Sequence, residues 1–195
     1  MLNTKSVVLG HFISILGIQV DPTEIEVIIK LHIPCTPTKV CSFLHYVGYY
    51  RRFIELFSKI TGLLYTLTGH VEFKWIPKCD IVFVELKKLV STIHVLRGLD
   101  WSLPFHISSN ASDKTIGAVI GQEEDNKPYV IYYINKNVTP TKLNYTMTEN
   151  EFLVVVYATN KPCYYITGYP IFLCTDHSVI QYLPNKHVTN FRVTR

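Results

Sequence analysis

Residues 103–135 read LPFHISSNASDKTIGAVIGQEEDNKPYVIYYIN, and three apolar runs stand out: LPFHIS (103–108), IGAVIGQ (116–122) and YVIYYIN (129–135). The first break between them contains Asp113 and Lys114, the second Asp125, Asn126, Lys127 and Pro128. β-Branched and aromatic runs bounded by such polar turns predict strands, most simply three antiparallel ones. Downstream, Thr146 and Thr148 precede Glu149 and Glu151 by three residues each, giving two overlapping capping boxes ahead of FLVVVYA. Three consecutive valines also suit a strand, but the caps predict a helix, buried all round. PIFLCT (170–175) predicts a further strand ending at Asp176, and VIQYL (179–183) a short helix. Three strands, a helix, a strand and a helix describe an α/β (α+β) sandwich on a mixed sheet.

Upstream the pattern differs. Residues 6–20 are β-branched and apolar with Gly10 and Gly17 as punctuation, which predicts short strands joined by tight turns. Asp21-Pro22-Thr23-Glu24 supplies an N-cap, a proline at the first helical position and an acid in the first turn. A helix with Ile25, Ile28 and Ile29 on one face follows. Thr36-Pro37 repeats the start signal, and Val40, Phe43, Leu44 and Val47 have the spacing of a core-facing stripe that ends near Gly48. Pro77 opens a third helix in which Val82, Leu86, Leu89 and Val90 share a face while Lys87 and Lys88 face out. The chain therefore divides into residues 1–97, a hairpin plus helices, and residues 98–195, the sheet-based part.

Composition narrows the class. With 48% hydrophobic and 17% charged residues the 195-residue chain lacks the signature of disorder. Nineteen Lys and Arg against fifteen Asp and Glu give +4, which permits nucleic-acid contact without implying it. The five cysteines, Cys35, Cys41, Cys79, Cys163 and Cys174, form no C-x-x-C pair and are expected to be reduced, buried thiols of an intracellular protein. The longest apolar run, Phe152 to Ala158, is far shorter than the roughly 18 residues of a membrane span, so no membrane partner is expected.

Taken in order, VVLGHFISILGIQVDP, SFLHYVGYYRRFIELFSKITGLLYTL, FKW, NASDKTIGAVIGQ, YVIYYINK, LNYTMTENEFLVVVYA and TDHSVIQYL resemble the pol polyprotein of gypsy-type LTR retrotransposons, as a plant-like, degenerate fragment. The resemblance implies that residues 1–97 are the end of a reverse transcriptase. Leu9-Gly10-His11 is similar to a primer-grip hairpin there, and a YYRRFI helix belongs to the thumb and connection. It implies an RNase H-like domain in residues 98–195, truncated at its C-terminus, and the rest of the polyprotein and RNA–DNA hybrid as partners.

RNase H chemistry holds two divalent cations between converging carboxylates while water attacks a phosphodiester, and hard oxygen ligands suit Mg²⁺. By position, the resemblance gives Glu151 and Asp176 as catalytic and metal-ligating residues. It places the first family carboxylate at Asn110, a degenerate site where Asp is expected, and the fourth beyond Arg195. A site reduced from four charges to two is expected to bind Mg²⁺ poorly and to have lost most or all nuclease activity. Asp113 is a possible substitute for the missing charge. Glu151 reads equally as a capping-box acid, and Asp176 as an N-cap. Arg51 and Arg52 are either a solvated helix face or contacts to a nucleic-acid backbone; Tyr49 and Tyr50 beside them read as core or interface aromatics. His45 stands where the family has Gly, which suggests relaxed packing. No Asp-Asp pair occurs, so polymerisation by this chain alone is not expected. The alternative from another class is a nucleic-acid- or protein-binding module that kept the fold and discarded the chemistry.

Overall fold

Strands β1 (Ser6–Val8), β2 (His11–Ser14) and β3 (Gly17–Val20) form an antiparallel sheet in that order. Val8 pairs with His11, and the two residues between them, Leu9 and Gly10, have φ of 49° and 70°. Positive φ at both positions is what a two-residue hairpin turn demands. Gly17 answers to a different constraint, since a Cβ there would lie 2.0 Å from the Leu96 carbonyl oxygen. That approach follows from pairing: the Ile18 amide donates to Leu96 O at 2.8 Å, and the Leu96 amide donates back at 3.0 Å. The first sheet thus anchors the segment that leads into the second half. The computed structural model describes residues 6–14, 17–69, 72–93, 95–112, 115–138, 146–160, 166 and 168–175.

Four helices follow: α1 (Pro22–Lys30), α2 (Pro37–Tyr49), α3 (Phe57–Thr66) and α4 (Pro77–Ser91). The caps read from sequence are in place, with Asp21 Oδ1 accepting from the Thr23 amide at 2.9 Å and Thr36 Oγ1 from the Lys39 amide at 3.3 Å. The α2 stripe of Val40, Phe43, Leu44 and Val47 is buried, and packs with Phe57 and Leu64 of α3 and Cys79, Phe83, Leu86 and Val90 of α4. Three expectations need correction. The YYRRFI stretch is not a helix: α2 ends at Tyr49, and Arg51–Phe53 is a 3₁₀ turn. Tyr50, Phe53 and Ile54 are all buried there, and the tighter turn brings residues three apart onto one side. Lys87 does not face out; its ammonium donates to the carbonyls of Ile29, at 2.8 Å, and Leu31 at the end of α1. Those carbonyls lack helical partners and carry the negative end of the helix dipole. Finally, of the four cysteines described, Cys79 is buried while Cys35, Cys41 and Cys174 are exposed.

The second sheet contains β4 (Phe105–Ala111), β5 (Thr115–Glu124), β6 (Lys127–Asn137) and β7 (Ile171–Cys174) in the order β6-β5-β4-β7. The three predicted strands are antiparallel, and β7 joins β4 in parallel, with Phe105 opposite Ile171 and Ser108 opposite Cys174. Along β5, Ile116, Ala118, Ile120 and Gln122 are buried and alternate with half-buried neighbours. This inner face, with Phe105, Ile107 and Ile134, packs against Val154 and Ala158 of helix α5 (Met147–Asn160). The helix covers one face of the sheet and is not buried all round: Val156 points outward, 36% exposed. The predicted helix at 179–183 lies outside the described residues.

Gln122 is the one amide among the apolar side chains of that face, 1% exposed. Its Nε2 donates to the carbonyls of Asp100 (2.6 Å) and Leu103 (3.0 Å), while Oε1 accepts from the Asp100 amide and the Tyr129 hydroxyl, both at 3.0 Å. Every donor and acceptor of the carboxamide is therefore used. The side chain clamps residues 100–103 so that the chain turns into β4 in register. Gln122→Leu is expected to lower stability by about 2 kcal/mol, because it leaves part-buried backbone groups of Asp100 and Leu103 without their partners, and Tyr129→Phe by about 1 kcal/mol. Urea denaturation measures both, and equal losses for the two variants would contradict the clamp.

Candidate functional site

The site that the sequence points to lies where β4 ends. Along this strand Phe105 and Ile107 face the core, His106 and Ser108 face away, and Ser109 returns to the inner side. Ser109 Oγ donates to Oε2 of Glu151 at 3.2 Å. Glu151 sits in the first turns of α5 and is 6% exposed. A carboxylate so withdrawn from water needs polar partners, and the serine hydroxyl supplies one.

Which acid caps α5 is decided by geometry. Thr146 Oγ1 accepts from the Glu149 amide at 3.3 Å, and Glu149 Oε2 accepts from the Thr146 amide at 2.8 Å and from its hydroxyl at 2.9 Å. These bonds hold the exposed Glu149 carboxyl below its usual range, the backbone amide contributing most. The Thr146 box is formed, with Glu149 as its acid. Beside Glu151, Asn150 is 2% exposed and its Oδ1 has no hydrogen-bond partner among the described residues.

The other predicted residues fall differently. Asn110 lies in β4, paired with Gly117 across the ladder. Asp113 and Asp176 lie outside the described residues; β7 ends at Cys174, two positions short of Asp176. His45 is exposed on α2, so the larger side chain meets no packing demand. Of the paired tyrosines Tyr50 is buried core, while Tyr49 is 51% exposed and donates to Leu9 O at 2.7 Å. Burial, with Glu24, Tyr49 and Asp21 nearby, pushes the Tyr50 hydroxyl up to about 12.

Arg51 and Arg52 are not on a helix, but they sit beside the second sheet. The Arg52 guanidinium lies 5.2 Å from the ring centre of Tyr132 on β6. On the same strand Lys136 Nζ lies 4.7 Å from the ring of Tyr157 on α5. The sequence alone does not pair these residues. In YVIYYINK the even positions Tyr132, Ile134 and Lys136 share one face of a strand, which is the available signal, but that the predicted helix lies against this face is not legible in the sequence.

The resemblance implies Mg²⁺ at this edge. Two-metal hydrolysis needs several carboxylates on one edge, and among the described residues no three His, Cys, Asp or Glu side chains converge to hold a metal. Glu151 of α5 brings one carboxylate to the end of β4, and the residue type at position 110 is Asn, a neutral amide. The described residues do not fit a two-metal centre.

Residues 100–195 match the family model of the RNase H-like domain found in reverse transcriptase. They belong to that family. The homologues of the whole chain are retrovirus-related Pol polyproteins: it is 26% identical over 207 residues to that of transposon opus and 27% identical over 179 residues to that of transposon 297, both from Drosophila melanogaster. The alignments cover 100% and 91% of this chain but 21% and 16% of those polyproteins, so the chain spans about a fifth of their length. The Tf2-3 polyprotein of Schizosaccharomyces pombe is 28% identical over 173 residues, 87% of this chain and 13% of the polyprotein.

The fold agrees. A foamy viral protease-reverse transcriptase in complex with RNA/DNA hybrid superimposes with a TM-score of 0.78 at 24% identity, over 94% of this chain and 25% of that one. A second structure of the viral protein, in complex with dsDNA, gives 0.79 at 23% identity over 95% of this chain and 39% of that one. The similarity therefore extends through the helical segment as well as the RNase H-like domain.

Thr146→Ala is expected to lower stability by about 1 kcal/mol at neutral pH. Because the Glu149 carboxyl is held below its ordinary 4.5 in the folded protein, its contribution is present above that value and is lost as pH falls through the lowered one. Thermal melts of the unmodified and Thr146→Ala chains are expected to differ at pH 7 and to draw together below pH 4.5. A gap that widens in acid would contradict the capping box.

Proposed function

We propose that this chain is part of a gypsy-type retrotransposon Pol polyprotein, residues 1–97 serving as the thumb and connection of its reverse transcriptase and residues 98–195 as its RNase H-like domain. The ancestral domain cleaved RNA in RNA–DNA hybrids with Mg²⁺; this one is impaired as a nuclease. The observation that carries the proposal is Asn110 on β4, at the position where the family resemblance expects the first carboxylate. Asn keeps the shape of Asp and one carbonyl oxygen but lacks the charge, and divalent-cation affinity follows ligand charge. Glu151 remains at the edge, its carboxylate held by Ser109, and Asp176 is its proposed companion.

A second reading has a specific observation behind it. The arginines next to the second sheet favour a nucleic-acid-binding module, because their charge survives the loss of catalytic carboxylates. Binding and cleavage are separable properties, and the assay below addresses cleavage.

Purified chain is incubated with a labelled RNA–DNA hybrid and Mg²⁺ or Mn²⁺, beside Asn110→Asp and Asn110→Asp/Glu151→Gln. The unmodified chain is expected to show only background cleavage. Asn110→Asp is expected to restore weak cleavage, which the added Glu151→Gln removes. Robust cutting by the unmodified chain would sink the proposal.

A further inference from the structure

A cavity of about 930 Å³ lies between the helical segment and β6, within the roughly 300–1,000 Å³ of small-molecule sites. Phe53, Leu89 and Ile93 form its helical wall, and Val130 and Tyr133 the wall on β6. Residues three apart on a strand ordinarily face opposite ways, and a bulge removes the conflict. Ile120 pairs with Tyr132 and Gly121 with Val130, which leaves Ile131 with no residue opposite. The extra residue resets the alternation, so Val130 packs with the helical core and Ile131 with that of the second sheet. Gly121 permits the close approach there, since a Cβ on it would lie 2.5 Å from Tyr129 O.

The walls are fixed by bonds that a ligand would not disturb. Leu96, also in the lining, exchanges backbone bonds with Ile18, and Ile54 O accepts from Asn135 Nδ2. Two charged side chains line the cavity among the described residues, and they differ in what is left to them. Arg97 is paired with Glu124 and lies 4.4 Å from the centre of the Tyr129 ring. Glu55 is exposed and makes no ion pair with a described residue. Its charge is felt within the cavity: burial pushes the Tyr133 hydroxyl up, and the Glu55 carboxylate adds to the rise. The free charge at this site is therefore negative, beside three aromatic rings and an apolar wall.

We infer that this cavity is a binding site for a small amphipathic amine, its ammonium held at Glu55 and Tyr133 and its apolar body between Leu89, Ile93 and Val130. An ammonium makes charge-assisted hydrogen bonds to a carboxylate and is attracted to aromatic faces, while the apolar body leaves water for the wall. A ligand carboxylate would meet Glu55 and find Arg97 already paired. Rigid walls lower the ordering cost of binding. Because they come from both halves of the chain, the amine binds them only when assembled, and so stabilises the folded protein by mass action. The inference goes beyond the proposed function, since it uses neither the end of β4 nor a nucleic acid and stands whichever way the cleavage assay turns.

Calorimetric titration of the full chain with phenylbutylamine, phenylbutanol and phenylbutyrate presents one apolar body with three head groups. The amine is expected to bind saturably at one site, the alcohol about tenfold more weakly, and the carboxylate not measurably. Glu55→Gln is expected to bring the amine down to the affinity of the alcohol, whereas Glu72→Gln, an exposed acid outside the cavity, leaves it unchanged. Ile93→Trp fills the cavity and is expected to weaken amine and alcohol together; if its thermal melt differs from that of the unmodified chain, Glu55→Gln, at an exposed position, carries the test. The melting temperature is expected to rise with amine concentration, and less so in Glu55→Gln. Failure of the amine to saturate, equal affinity for the three head groups, or tighter binding of phenylbutyrate would overturn the inference, as would unchanged amine affinity in folded Glu55→Gln.

Discussion

Parallel pairing of β4 with β7 is the constraint from which the second half follows. Antiparallel neighbours close with two or three residues, as β5 and β6 do, whereas a parallel partner requires the chain to cross back over the sheet, ordinarily as a helix. Helix α5 lies within that crossover, and its inner residues Val154 and Ala158 complete the core begun by Phe105, Ile107, Ile116 and Ile120. The Thr146 capping box fixes where the helix starts, and therefore which residue of its first turns arrives over the end of β4. That residue is Glu151, against Ser109.

The two halves meet through backbone as much as through side chains. Leu96 pairs with Ile18 as an added rung of the first sheet, and Asn135 Nδ2 on β6 donates to Ile54 O at 3.2 Å, just after the 3₁₀ turn. Arg52 stacks on Tyr132 beside that bond. The turn that breaks the helix after Tyr49 is thus the element that carries arginines to the second sheet. Had residues 49–54 continued as α-helix, Tyr50, Phe53 and Ile54 would still have shared one face, but Arg51 and Arg52 would have had another address.

Signals that act over a few residues were legible. Asp21-Pro22 and Thr36-Pro37 started their helices because a side-chain oxygen and a missing amide satisfy local backbone demands, and the polar breaks after Ser108 and Gln122 turned the strands. What escaped depended on distant neighbours. Helix α3 begins after Leu56, which has φ of 53° and offers no side-chain cap, so no start signal marked it. Lys87 was read as solvent-facing because nothing in its own helix shows that the carbonyls of α1 lie opposite. Val156 was read as buried because an apolar run does not say how many of its sides will be covered.

The order of elements, the caps, the family resemblance and the neutral residue at position 110 were determined by the sequence alone, since each is local or a matter of pattern. Only the tertiary structure decided that Glu151 is a buried carboxylate bonded to Ser109, and that Arg52 and Lys136 lie over rings of the second half. Those facts depend on side chains from segments up to about a hundred residues apart, brought together by burial and pairing that no single stretch of the chain encodes.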